Sequence, residues 1–314
     1  MYLGIDTSNY TTSAALADEE GRIVANCKRP LPVKAGECGL RQSDAVFAHI
    51  KNLPSLMEEI GQALRGHTLT AIGVSEKPRA VLGSYMPCFL SGVAAASAAA
   101  ASSGVPLYRF SHQCGHLAAA LYSGGAEALY GRPFGAFHVS GGTTEVLFCR
   151  YNEEVGGFSA ELVGESADLH AGQVIDRVGV YLGLPFPAGR PLEELADGCV
   201  SPIKSIRVSV KGLRANLSGL ENQAKKLYET EKDASLCAAY VLDYIGKTLA
   251  CLTENLLAEK GPLPIVYAGG VMSNKRICRM LAPLSDSHFA EPAYSADNAA
   301  GIALLCRRRH LRSL

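Results

Sequence analysis

Two imidazoles four residues apart, in His112-Gln113-Cys114-Gly115-His116, are the part of this chain best suited to holding a divalent metal. On a helix, side chains at i and i+4 lie one above the other on one face, so both rings can offer nitrogen to the same ion. A stacked pair that binds nothing fits the same spacing. Cys114 falls on another face, so a third ligand has to come from distant sequence. Asp297, at the start of the last expected helix, is the best-placed carboxylate. Gln113 stands where a metalloprotease carries its general-base glutamate, which argues against peptide hydrolysis.

Three turns rich in glycine and hydroxyls offer a different chemistry, the cradling of phosphate by backbone N–H groups and side-chain hydroxyls. In the first, Asp6-Thr7-Ser8-Asn9-Tyr10-Thr11-Thr12, the candidate phosphate donors are Ser8, Asn9, Thr11 and Thr12. The second is Ser140-Gly141-Gly142-Thr143-Thr144. The third, Ala268 to Asn274, lies between a strand and a helix, where a purine or ribose can rest on backbone. Each turn alone is equally well explained as local hairpin chemistry, and the weight lies in all three occurring in order. Asp176, in the helical stretch Ala171 to Gly179, is either a surface acid or an acceptor for ribose hydroxyls. The proline-rich Pro185 to Pro191 makes a rigid loop able to cap a ligand.

These residues need elements to hold them. Tyr2 to Ala17 and Gly21 to Asn26 read as strand, turn, strand, turn, strand. Ser43 to Leu64 has helical apolar spacing interrupted at Pro54, Leu69 to Val74 is a short strand, and Ser91 to Ser102 is an alanine helix. The pattern restarts at Gly135 to Cys149 with strand, glycine turn and strand, followed by a strand at Gly157 to Val163. Helices are expected at Ala171 to Leu182 and Ser235 to Glu259, a strand at Pro264 to Ala268, and a last helix from about Asp297. The repetition points to a duplicated α/β unit with a ligand cleft between two lobes. The lobes are expected at 1–124, with the terminal helix 297–314 packing back on the first, and at 125–296.

Composition narrows the class. Of 314 residues, 48% are hydrophobic and 19% charged, enough for a large core and against disorder. Thirty Lys plus Arg balance thirty Asp plus Glu, so net charge gives no sign of a polyanionic partner. The basic run Arg307-Arg308-Arg309-His310 with Arg312 reads as a solvated helix end. Ten scattered cysteines without a CxxC pair, and an opening that runs straight into a strand, are expected of a reduced, cytoplasmic protein. The uncharged span Ala80 to Tyr108 contains two prolines, three glycines and five serines, so a buried helix is expected there and no membrane span.

Taken as an ordered set, the motifs are specific. They are His112-x-x-x-His116, Val139-Ser140-Gly141-Gly142, Gly164-Glu165-Ser166, Ala171-Gly172-Gln173-Val174-Ile175-Asp176, Leu182-Gly183-Leu184-Pro185, Leu217-Ser218-Gly219-Leu220, Gly269-Gly270-Val271-x-x-Asn274 and Asp297-Asn298-Ala299-Ala300. Through them the chain resembles, from Leu3 to Leu305, the tRNA adenosine threonylcarbamoyltransferase family, formerly called O-sialoglycoprotein endopeptidase or glycoprotease. The resemblance implies the actin-like ATPase fold of sugar kinases and heat-shock ATPases. It implies one divalent metal, iron or zinc with magnesium as a further option, on His112, His116 and Asp297. It also implies an adenine nucleotide or acyl-adenylate on His138, Val139, Ser140, Gly141, Gly142, Asp176, Gly189 and Asn274. The implied reaction moves a threonylcarbamoyl group from its adenylate to the exocyclic amine of the adenosine next to the tRNA anticodon. Implied partners are tRNA, a paralogous subunit of the same fold and a small ATPase.

Departures from the family pattern mark the chain as a divergent member or paralog. Where the family's first turn typically reads Glu-Thr-Ser-Cys-Asp-Glu-Thr-Ser, this chain has Asp6 to Ser13, so Tyr10 and Thr11 replace two acids. Thr143 replaces a histidine, and Glu76-Lys77-Pro78-Arg79 replaces a glycine-proline-glycine turn. The alternative reading is a paralog that binds nucleotide and metal but modifies another acceptor, or acts as a nucleotide-binding partner protein.

Overall fold

Alternation between short apolar runs and polar turns builds the first sheet. Tyr2–Ser8 forms β1, Thr11–Ala17 forms β2 and Ile23–Pro30 forms β3, in antiparallel sequence. The amphipathic helix α1 (Gln42–Leu64) follows, then β4 (Ala71–Lys77), α2 (Phe89–Ser103), β5 (Leu107–Ser111) and α3 (His112–Ser123). The second set is β6 (Phe134–Val139), β7 (Thr144–Asn152), β8 (Gly157–Ser166), α4 (Ala171–Tyr181) and α5 (Gly189–Asp197). It continues with β9 (Val210–Lys211), β10 (Arg214–Ala215), α6 (Ser218–Glu231), α7 (Ala234–Lys260), β11 (Ile265–Ala268), α8 (Lys275–Leu281), β12 (Ser287–Phe289) and α9 (Pro292–Ser295). The chain closes with α10 (Ala299–Leu311). This computed structural model describes residues 1–313 other than 9, 33–39, 204 and 296–298, and the side chain of residue 295 also lies outside the described set.

The duplication is visible in strand order. The first sheet runs β3-β2-β1-β4-β5, and the second contains β8-β7-β6-β11-β12, with β10 and β9 added at the β8 edge. In both, an antiparallel pair is continued by parallel strands: β4 beside β1, and β11 beside β6. Two units result. One comprises Met1–Tyr122, Tyr151–Ser159 and Ala296–Leu314; the other comprises Ser123–Arg150 and Ala160–Ser295.

In the first unit, β1 is buried from Tyr2 to Thr7 because helices cover both faces of its sheet. α10 packs on one face, and α2 meets Ile5 and Thr7 on the other. Leu3, Ile5, Leu16, Leu56, Ile60 and Ile72 form this core. Pro54 lies inside α1 rather than breaking it. Its absent N–H removes one helical bond, while Leu53, Leu56 and Ile60 keep the flanking face buried. The core of the second unit packs α4, α5, α6 and α7 on the sheet around Val174, Leu242, Ile245 and Tyr267.

The basic end of α10 is not a solvated patch, contrary to the sequence expectation. Arg308 and Arg312 both reach Glu153 Oε1, at 2.8 and 2.7 Å, and Arg309 donates to the Glu153 and Glu154 carbonyls. Arg307 donates to the Glu19 carbonyl, and Arg308 stacks over Tyr151. The helix end clasps the turn that links β7 to β8. Among the described residues, α7 alone is long and apolar enough to cross a membrane, and 72% of its most apolar stretch is buried.

Candidate functional site

Ser111, itself buried, starts α3 by capping it: the Cys114 N–H donates to Ser111 Oγ at 3.2 Å. That fixes His112 and His116 on successive turns, with ring centroids 4.6 Å apart and planes at 72°. Phe89 meets the His112 ring edge-on, with centroids 5.9 Å apart. Gly301 of α10 lies against Gly115, between the two histidines, so closely that a Cβ would overlap the Gly115 carbonyl. Asp297, the third expected ligand, lies outside the described residues. Among the described residues no group of three or more His, Cys, Asp or Glu can hold a metal.

The histidines have a neighbour that the sequence reading passed over. Asp6, fully buried at the end of β1, has Oδ1 3.1 Å from His112 Nδ1. The Ser75 hydroxyl also donates to Oδ1, and the Ser8 N–H donates to Oδ2 at 3.3 Å. Burial pushes this carboxyl's pKa up, but the His112 charge and hydrogen bond, then Ser75 and Ser8, outweigh it and hold it near 2. The available signal was an acid directly following the apolar run Tyr2 to Ile5 within one strand.

The first turn gives up fewer groups than expected. Thr12 is fully buried, its hydroxyl bonded to His49 Nδ1 at 2.9 Å and accepting from Asn52 at 3.1 Å, so it is unavailable to phosphate. It anchors α1 to β2 instead. Thr7 likewise ties β1 to α2, donating to the Cys88 carbonyl and accepting from the Gly92 N–H. Ser8 and Thr11 face each other in register and are half-buried, Tyr10 is exposed, and Asn9 lies outside the described residues.

In the second unit, the glycine turn between β6 and β7 is bonded to the start of α4. The Ala171 N–H donates to Thr144 Oγ1 at 3.0 Å and the Gly172 N–H to the Ser140 carbonyl at 3.1 Å. A Cβ on Gly172 would overlap the Gly141 backbone. Beside this junction is a cavity of about 310 Å³, with Gly141, Asp176, Gly189, Glu193, Gly270 and Asn274 in its walls. That volume is in the range of small-molecule sites. Four expected nucleotide residues, Gly141, Asp176, Gly189 and Asn274, therefore come together. His138, Val139, Ser140 and Gly142 are not in the walls. Val139 is fully buried, and His138 is held between Ala268 and Glu145 in the sheet.

Two wall residues also hold the cavity's frame. Asp176 Oδ1 accepts from the Ala188 N–H at 2.8 Å, fixing the proline-rich loop ahead of α5. Asn274 caps α8, its Oδ1 accepting from the Ile277 N–H at 3.0 Å, which leaves its amide for the cavity. Glu193, not singled out from sequence, sits one turn after Gly189 on α5 and accepts from the Lys275 N–H.

Residues 36–304 match the family model described as tRNA N6-adenosine threonylcarbamoyltransferase. The chain belongs to this family. It is 30% identical over 322 residues to the tRNA N6-adenosine threonylcarbamoyltransferase of Streptococcus suis (strain 05ZYH33), covering 97% of this chain and 90% of the relative. The enzyme of that name from Carboxydothermus hydrogenoformans is 28% identical over 324 residues, covering 99% and 92%. Among solved structures, component A of (R)-2-hydroxyglutaryl-CoA dehydratase from Acidaminococcus fermentans superposes with a TM-score of 0.54 at 13% identity, covering 99% and 98%. A ROK family glucokinase from Streptomyces griseus gives 0.51 at 12% identity, covering 97% of each chain. At such identities the likeness concerns fold alone: this is the actin-like ATPase fold, on which the family's members are transferases acting on tRNA.

Proposed function

We propose that this chain transfers a threonylcarbamoyl group from threonylcarbamoyl-adenylate to the exocyclic amine of the adenosine next to the tRNA anticodon. The observation that carries this reading is the convergence of Gly141, Asp176, Gly189 and Asn274 on one nucleoside-sized cavity in a member of that family. The adenosine of the donor sits there, with its ribose hydroxyls toward Asp176, its base toward the Asn274 amide and its phosphate toward the Gly141 backbone. The acceptor amine adds to the carbamoyl carbon, the bond from that carbon to the phosphate oxygen breaks, and AMP leaves as the amine loses a proton.

His112 and His116 fit a divalent metal, being two imidazoles in ring contact on one helix face, and with Asp297 they would hold it. α10 begins two residues after Asp297 and touches Gly115, which supports that third ligand. When bound, iron or zinc would supply Lewis-acid character, stabilising charge that develops in the transfer. A paralogous subunit, a small ATPase and a cytoplasmic setting complete the reading.

The test is purified chain with tRNA lacking the modification and freshly made threonylcarbamoyl-adenylate, the nucleosides then being analysed by mass spectrometry. Appearance of threonylcarbamoyladenosine, lost in Asn274→Ala, is expected. Adenylate binding without transfer, even with partner subunits supplied, would overturn the reading.

A further inference from the structure

A buried carboxylate that faces an imidazole fixes how the ring is turned. Asp6 lies in a strand covered on both faces and is 1% exposed. A charge so placed has to be fully hydrogen-bonded, and among the described residues its bonds come from Ser75 Oγ, the Ser8 N–H and His112 Nδ1. Both oxygens of this carboxyl already accept, Oδ1 from Ser75 and Oδ2 from the Ser8 N–H, so the ring nitrogen 3.1 Å from Oδ1 is placed to donate to it. The ring plane is fixed as well, by Phe89 on one side and His116 on the other.

We propose that Asp6 is a positioning residue for His112: it holds the imidazole through Nδ1–H and thereby presents the Nε2 lone pair to a bound metal. This rests on the reading of His112 as a metal ligand. Ser75, fully buried on β4, completes the device by spending its single hydrogen on Asp6 Oδ1, so that carboxylate, hydroxyl and ring form one chain from sheet to helix. A metal-bound histidine that donates its other N–H to a carboxylate is both oriented and made more basic. Asp6 thus acts through His112 and touches no ligand itself.

Two readouts on the full chain test the proposal. The first is long-range proton–nitrogen NMR of the metal-free protein, which reads the tautomer of each histidine. His112 is expected to carry hydrogen on Nδ1, and in Asp6→Asn this preference is expected to be lost. The second is Zn²⁺ affinity by competition with a chromophoric chelator. Asp6→Asn should weaken binding on the order of 10- to 100-fold. Ser75→Ala, a milder change that keeps the buried carboxylate, should weaken it less and serves if Asp6→Asn does not fold. A wild-type His112 protonated at Nε2 alone, or Zn²⁺ affinity unchanged in both variants while His112→Ala is weakened, would overturn the proposal. Unchanged affinity in His112→Ala would instead overturn the ligand reading on which it rests.

Discussion

Asn274 caps a helix with one end of its amide and, in the proposed adenosine site, offers the other end to the ligand, and the two can be separated. Its oxygen caps α8 and its nitrogen is left for the cavity. Asn274→Asp keeps the capping oxygen and removes the donor, so stability should hold while adenosine affinity falls about tenfold, one hydrogen bond of about 1.4 kcal/mol. Asn274→Ala should lose both, adding about 1 kcal/mol of instability. Calorimetric titration and urea unfolding read the two effects, and equal stability loss in both variants would contradict the division. The thiols give a pH signature. Burial first, with Asp6, Asp233 and Glu193 nearby, pushes Cys88, Cys237 and Cys278 up to about 11, and burial raises Cys306 as well. Since the folded values lie above the unfolded one, near 8.5 for a free thiol, this contribution is complete below that pH and is lost as pH rises toward 11. The melting temperature should therefore fall between pH 8 and 11, and a serine variant at these four positions should fall less steeply.

At the level of elements, α10 packs on the first sheet and is further held by two interactions of unequal strength. Its arginine end clasps Glu153 through half-exposed ion pairs, and removing such partners costs at most about 1 kcal/mol. Its opening turn is set by the backbone contact of Gly301 with Gly115, where one methyl group has no room. Gly301→Ala should cost at least 2 kcal/mol, by overpacking a site that cannot relax without moving α3. Chemical denaturation of Gly301→Ala beside Glu153→Ala would rank them, and a larger loss in Glu153→Ala would reverse this account. The same contact makes Gly301→Ala a disturbance of the histidine pair, so its metal content should fall as well.

For the whole molecule, the two candidate centres lie in different units. His112 and His116 belong to the first, and the cavity with Asp176 and Asn274 belongs to the second. Replacing both histidines with alanine should abolish stoichiometric metal, read by mass spectrometry of the metal, and leave adenosine affinity within twofold of wild type. A large loss of adenosine binding in that variant would show that the cavity does not act alone. The overall charge balance, with the α10 arginines taken up by Glu153 and nearby carbonyls, means that tRNA affinity has to come from local surface rather than from a strongly basic molecule.

Spacing by itself determined the duplicated α/β plan, the i, i+4 histidine pair and the glycine turns, because helical and strand periods and the demand for small residues at close approaches are written locally. It could not determine which hydroxyls and acids face a ligand. Thr12 and Ser8 share one polar turn, yet Thr12 is consumed by His49 and Asn52, partners from a helix more than thirty residues away. Asp6 and His112 are 106 residues apart, and only the parallel pairing of β1 with β4 and of β4 with β5 brings them together. A buried polar group takes whichever partner the fold brings within reach, and those partners come from long-range packing that no local pattern encodes.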